Sequence, residues 1–286
     1  MSRNHRPLYL LAGPTASGKT AKALEWAAQT GGTILNADSM QLYADVPILT
    51  ARPDAAERTR APHRLYGHLD GQTLWSTGDW LRAARPFITE ALEGGPPLCI
   101  VGGTGLYFNA LVYGLAEIPD IDEAVRQEAR AAYDEMGEAN LRARLKQHDP
   151  QAEARIMPND QQRLSRAWEV WLQTGRSLTD WQNRTVPELA ANSYTLDILH
   201  PDRAWLYERC DRRLQVMLDQ GALDEVRALM DKGLVDDWPI MRVLGLIEFV
   251  SYLQGETSLE DALALARQKT RNYAKRQSTW FRNQFK

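Results

Sequence analysis

The run Gly13-Pro14-Thr15-Ala16-Ser17-Gly18-Lys19-Thr20 places two glycines, a lysine and a hydroxyl at the spacing of a phosphate-binding loop. The glycines let backbone N–H groups turn inward around an anion. Lys19 adds a point charge, and the Thr20 hydroxyl is a candidate Mg²⁺ ligand. The chemistry implied is the binding of a polyphosphate or a diphosphate. An apolar stretch, Leu8-Tyr9-Leu10-Leu11-Ala12, precedes the run, and a helical pattern from Thr20 to Ala28 follows it. A strand therefore delivers the loop, and the helix N-terminus adds its dipole to the anion site.

A P-loop that hydrolyses ATP needs an acid at the end of a second buried strand. Here Leu98-Cys99-Ile100-Val101 ends instead in Gly102-Gly103-Thr104-Gly105. The best candidate carboxylate is Asp38, which closes Ile34-Leu35-Asn36-Ala37-Asp38. Three roles are open to it: holding Mg²⁺ through water, capping the next helix together with Ser39, or acting as a base. The carboxyl ends of parallel strands share one edge of an α/β sheet, where ligands sit. Asp38, Thr104 and the loop at 13–20 are therefore expected around one crevice.

The elements that must position these groups alternate. Strands are predicted at Leu8–Ala12, Thr33–Asn36 and Pro97–Val101, with helices at Lys19–Thr30, Thr77–Leu92 and Gly105–Tyr113. That order predicts an α/β fold, a parallel sheet flanked by helices. From Glu117-Ile118-Pro119-Asp120 to about Asn192 the pattern is nearly all helical, with a break expected between Glu138 and Ala139. Tyr194–His200 reads as a strand again. The predicted organisation is a P-loop core at 1–117 and 196–286 interrupted by an all-helical insertion at 118–195.

With 286 residues, 44% hydrophobic and 25% charged, the composition is that of an ordinary globular protein. No apolar run approaches the roughly 20 residues that span a bilayer. The first residues, Met1 to Pro7, pass almost directly into a strand, so no signal peptide and a cytoplasmic location are expected. Cys99 and Cys210 form no CxxC or Cys/His cluster and read as core thiols, with no zinc site. The net charge of −3 argues against wholesale nucleic-acid binding, but it hides an asymmetry. After Asp261 there is no acid, whereas Arg267, Lys269, Arg271, Lys275, Arg276, Arg282 and Lys286 follow. A basic C-terminal helix is the footprint expected for a phosphate backbone.

Several further blocks are recognisable together: Asp38-Ser39-Met40-Gln41-Leu42-Tyr43, Thr50-Ala51-Arg52-Pro53, Pro62-His63 and Gly102-Gly103-Thr104-Gly105-Leu106-Tyr107. Asp160-Gln161-Gln162-Arg163-Leu164-Ser165-Arg166-Ala167, Thr174-Gly175-Arg176-Ser177-Leu178 and Lys275-Arg276-Gln277-Ser278-Thr279-Trp280-Phe281-Arg282 continue the series. Across nearly the whole chain this resembles the tRNA dimethylallyltransferase family. The resemblance implies prenylation of N6 of the adenine beside the anticodon, with dimethylallyl diphosphate and Mg²⁺, and a single subunit suffices.

On that resemblance the P-loop cradles a leaving diphosphate, and Asp38 becomes the base toward the adenine amine. Thr104 would orient the amine or the bridging oxygen, or only cap the following helix. Arg213 matches a family arginine that reaches the diphosphate, although an apolar stripe of Leu206, Cys210, Leu214 and Met217 beside it also suits a solvated arginine.

The anticodon stem-loop would meet Asp38, Ser39, Met40, Gln41 and Thr104 with its extruded base. It would also meet Arg126, Gln162, Arg163, Leu164, Ser165 and Arg166 of the insertion, and Lys275, Arg276 and Arg282 of the last helix. Without the resemblance the insertion arginines are exposed helix charges, and Arg126 is a partner for Glu123 or Glu128. Arg271, Lys275, Ser278 or Thr279, and Arg282 would form one basic face, with Tyr273 and Trp280 pointing elsewhere.

Three departures stand out. Leu49 replaces a family glycine before Thr50, and Arg52 replaces a lysine. Leu246-Ile247-Glu248-Phe249 stands where an aromatic and an arginine are usual. Two other enzymes remain as alternatives: an adenylate isopentenyltransferase acting on free AMP, ADP or ATP, and a P-loop small-molecule kinase.

Overall fold

The computed structural model describes residues 6–285. The N-terminal reading over residues 1–5 and the last basic residue, Lys286, lie outside the described residues. The chain divides into two compact units, 1–112 with 189–286, and 113–188.

In the first unit the order is β1 (Leu8–Ala12), α1 (Lys19–Thr30), β2 (Thr33–Asn36), α2 (Ala55–Arg60), β3 (His63–Arg64), α3 (Thr77–Leu92), β4 (Leu98–Gly102) and α4 (Gly105–Tyr113). In the second unit come α5 (Glu123–His148), α6 (Pro150–Arg155), α7 (Gln161–Thr174) and α8 (Leu178–Gln182). The first unit resumes with β5 (Tyr194–Ile198), α9 (Arg203–Asp219), α10 (Ala222–Asp231), α11 (Leu246–Leu253) and α12 (Leu259–Gln284).

The five strands form one sheet in the order β3-β2-β4-β1-β5, and every neighbouring pair is parallel. β4 is buried along its whole length, as expected for a strand covered on both faces and built of a continuous apolar run. β5, an edge strand, is only partly buried and carries Thr195 and Asp197. Its Asp197 carboxylate accepts from the Tyr9 hydroxyl at 2.9 Å and pairs with Lys22 of α1 at 2.5 Å.

On one face Leu11, Leu24, Ala27, Ile34 and Cys99 pack together under α1. On the other, Trp80 of α3 is fully buried and stacks on Tyr107 of α4, ring centroids 4.3 Å apart. Both cysteines are free and buried. Among the described residues no helix is long and apolar enough to cross a membrane.

The units meet the chain at 112/113 and 188/189, not at the expected 117/118 and 195/196. The reason is hydrogen bonding of the core. Leu189 N–H donates to Leu111 O at 3.0 Å, and Tyr194 and Thr195 pair with Leu8 and Tyr9 inside the sheet. β3, too short to show a period, went unforeseen, as did α2 and α11.

In the helical unit Gly137 (φ 75°, ψ 162°) interrupts α5 one residue from the expected break. Its core gathers Ala129, Leu141, Leu145, Ile156, Leu164, Ala167 and Trp168. The buried Asp149 carboxylate accepts from Ala152 N, Thr179 N and Thr179 Oγ1 at 2.7–2.9 Å, tying α6 to α8.

Candidate active site

Strands β2, β4 and β1 lie side by side, so the turns at their carboxyl ends are neighbours. Gly102 makes the approach possible: a Cβ there would come within 2.0 Å of Ala37 O. Beyond it, Thr104 N–H donates to Ala37 O at 3.1 Å, and the Thr104 hydroxyl accepts from Ser39 N–H at 2.9 Å.

The turn that carries Asp38 is set by Asn36, which is fully buried. Asn36 Oδ1 accepts from Asp38 N–H, and its Nδ2 donates to Asp38 O and Leu65 O, all within 2.8–3.0 Å. Asp38 Oδ1 accepts from Met40 N–H at 3.0 Å, opening the 3₁₀ turn Met40–Leu42. Capping there belongs to Asp38. Ser39 gives no side-chain cap, and its hydroxyl accepts instead from Thr104 Oγ1 at 3.3 Å.

In the P-loop Gly18 has φ +91°, a left-handed conformation that suits glycine, and it caps α1. Lys19 opens α1 and curls back so that Nζ donates to Gly13 O at 2.9 Å and Pro14 O at 2.6 Å. Burial pulls its pKa down to about 8, an effect that Arg213 reinforces and Asp38 opposes. Arg213 is not a solvated bystander. Its guanidinium donates to Thr15 Oγ1 and to Thr50 O, each at 3.2 Å.

Thr15 of the P-loop, Asp38, Ser39 and Arg213 border one cavity of about 350 Å³, whereas Lys19, Thr20 and Thr104 stand outside its lining. Thr15, Asp38, Ser39, Met40, Thr50 and Arg213 contribute its polar wall. Leu42, Leu49, Leu214, Met217 and Val243 make an apolar wall. Tyr273 and Arg276 of α12, with Arg242, also line it. Burial raises the Tyr273 phenol pKa, and the Asp38 charge adds to it.

Among the expected RNA-facing residues the outcomes diverge. Met40 reaches the cavity, whereas Gln41 spends its amide on Thr50 O and Ala51 O, at 2.9 and 3.1 Å. Gln162 is exposed, but Leu164 is fully buried in the helical unit's core and Ser165 is buried too. Neither side chain is presented to solvent, contrary to their expected place on an RNA-facing surface.

Arg126, Arg163 and Arg166 pair with Glu123, Asp160 and Glu169 on their own helices or caps, at 3.5, 2.7 and 3.2 Å. On α12 Lys275, Arg276 and Arg282 are exposed. Arg271, however, gives its charge to Asp211 of α9 at 2.7 Å, and Lys269 pairs with Glu248 of α11. The basic face is thus partly neutralised by other helices. Tyr273 and Arg276 line the cavity, and the Arg276 guanidinium stands over the Tyr273 ring, 5.6 Å from its centroid. Arg52 donates to Tyr43 O and Ala44 O at 3.2 and 3.3 Å, so this departure serves the loop itself.

Sequence reasoning missed Thr50 as a contributor because its backbone carbonyl, not its side chain, holds Arg213. It missed Asn36 because an amide inside a strand gives no periodic signal.

The sheet, the loop and this cavity define a P-loop protein in which a cavity beside the loop is bordered by a carboxylate and an apolar wall. A family model described as IPP transferase matches residues 41–284, and one described as isopentenyl transferase matches residues 6–75. The tRNA dimethylallyltransferase of Phenylobacterium zucineum is 52% identical over 97% of this chain and 90% of its own. That of Caulobacter sp. is 51% identical over the same shares. A solved eukaryotic dimethylallyltransferase acting on tRNA superposes with a TM-score of 0.83 at 26% identity, over 96% of this chain and 69% of that one. The chain belongs to the tRNA dimethylallyltransferase family.

Proposed function

We infer that the protein transfers a dimethylallyl group from dimethylallyl diphosphate to tRNA, at N6 of the adenine 3′ to the anticodon. The observation that carries this reading is the single cavity shared by the phosphate loop, Arg213, Asp38 and an apolar wall. An anionic leaving group, an acceptor proton and a branched C5 chain each find a matching surface there. β4 ends in glycine, with no acid for ATP hydrolysis, which speaks against a kinase. The relatives act on tRNA, which disfavours the free-nucleotide alternative.

In this reading the adenine N6 attacks C1 of the prenyl chain as the C1–O bond to diphosphate breaks. The electron pair of that bond leaves with the diphosphate. The amine proton passes to the Asp38 carboxylate, which must come within hydrogen-bond reach of it. Lys19, Arg213 and the loop amides stabilise the charge that grows on the leaving group.

Thr104, held by Ser39, orients the amine. The Thr20 hydroxyl and the Asp38 carboxylate would be the groups to hold Mg²⁺, a hard oxygen-seeking ion that keeps several waters and binds chiefly through substrate phosphates. Bound there, Mg²⁺ would neutralise diphosphate charge.

The anticodon stem-loop would use Met40 and Ser39 at the cavity, Lys275, Arg276 and Arg282 on α12, and Arg126, Gln162, Arg163 and Arg166 on the helical unit. The reading takes the protein as a monomer working in the cytoplasm on tRNA.

The test is transfer of labelled dimethylallyl to an unmodified anticodon stem-loop. Label should enter RNA with the wild type and fall about a hundredfold or more with Asp38→Ala. Label entering AMP but not RNA would overturn the reading.

A further inference from the structure

Gln277 lies in the basic block of α12, yet it is 6% exposed and faces inward. Its Oε1 accepts from Thr15 N–H at 2.8 Å, and its Nε2 donates to Gly103 O at 2.8 Å. Gly103 has no side chain for a reason: a Cβ there would come within 2.3 Å of Gln277 Nε2. One amide therefore bridges the P-loop and the turn after β4 from a third element.

Each end of the bridge continues to a reacting group. Thr15 is held a second time through its hydroxyl, by Arg213. Gly103 precedes Thr104, whose hydroxyl takes the N–H beside Asp38. Building on the prenyl-transfer reading, we propose that Gln277 is a positioning residue that sets the spacing between the diphosphate clamp and the Asp38–Thr104 side of the site. It also takes the Thr15 N–H out of anion binding, which leaves the amides at the start of α1 to meet the diphosphate.

A planar amide carries a donor and an acceptor side by side and uncharged at neutral pH, which a carboxylate does only when protonated. A carboxylate at this position would keep the Thr15 contact but set an anion against Gly103 O. Leucine would fill the space and leave both backbone groups unsatisfied. A displacement of about 1 Å between reacting groups costs on the order of a hundredfold in rate.

The experiment measures kcat and KM for both substrates, binding of inorganic diphosphate, and thermal stability, for wild type, Gln277→Leu and Gln277→Glu. Expected is a fall in kcat of about tenfold to a hundredfold in both variants, with KM for the RNA within about twofold of wild type. For Gln277→Glu, activity relative to wild type should recover as pH falls, because the protonated acid regains a donor toward Gly103 O.

A rise in RNA KM with unchanged kcat would make Gln277 an RNA contact and overturn the proposal. A lowered melting temperature with unchanged kcat, or a Gln277→Glu ratio that ignores pH, would reduce it to a structural strut and overturn it as well. If wild type neither binds diphosphate nor prenylates RNA, the underlying reading fails, a result distinct from variants that match an active wild type.

Discussion

Arginines at the cavity and arginines on the helical unit are held in opposite ways. Arg213 is anchored only by neutral oxygens, Thr15 Oγ1 and Thr50 O. Arg126, Arg163 and Arg166 are each paired with an acid three residues away. A partly buried guanidinium with neutral acceptors keeps its whole charge for an incoming anion, and burial lowers its pKa for want of one. An exposed pair three residues apart, such as Arg126 with Glu123, gains little, about 0.3–1 kcal/mol, and exchanges its acid for a phosphate at small cost; only Arg166 has a buried partner, Glu169. The first arrangement stores electrostatic potential in a fixed place. The second presents exchangeable charge.

Lys19 stands with Arg213 in this comparison and gives the largest expected effect. Lys19→Met should lower kcat/KM for dimethylallyl diphosphate by about a hundredfold to a thousandfold while leaving RNA affinity unchanged. Single-turnover transfer at saturating RNA checks it. Arg213→Gln should cost about tenfold to a hundredfold in the same parameter. An equal loss in RNA affinity would erase the distinction between the two groups.

pH offers a sharper form of the contrast. Lys19, with its pKa pulled down to about 8, is charged below that pH and neutral above it. A bound diphosphate favours the charged form, so binding above pH 8 must take up a proton. Affinity for inorganic diphosphate should therefore weaken as pH rises through 8, by at most about tenfold per unit. RNA affinity does not depend on Lys19 in this reading and should stay flat over that range, and titration calorimetry at several pH values reads both.

The smallest effects belong to the helical unit. Arg163→Ala and Arg166→Ala should each weaken RNA binding a few-fold and reduce the salt slope by about one. The melting temperature should scarcely move for Arg163→Ala, which removes a largely exposed pair, and should fall for Arg166→Ala, which leaves the buried Glu169 carboxylate without its partner. A large stability loss with an unchanged salt slope would assign them a structural role instead.

Much of the framework was legible in residue order. The P-loop, the three strands flanking it and the helical block follow from apolar runs, glycine spacing and alternation of period, all local properties. Asp38 and Thr104 were legible because strand ends in a parallel sheet share an edge. The C-terminal helix was legible as basic but misread in its faces. Periodicity shows which residues share a side, not what another helix sets against it. Asp211 and Glu248, distant in sequence, take up Arg271 and Lys269.

By itself, then, the sequence determined the chemistry: an anion loop, a carboxylate after β2, and a glycine where ATP hydrolysis would want an acid. Tertiary structure alone decided which charges remain available and what spaces the reacting groups. Those depend on partners supplied from far along the chain, such as the carbonyl of Thr50 for Arg213 and the amide of Gln277 for Thr15 and Gly103. A backbone carbonyl has no residue type to read, and a glutamine looks the same whether it meets water or a P-loop.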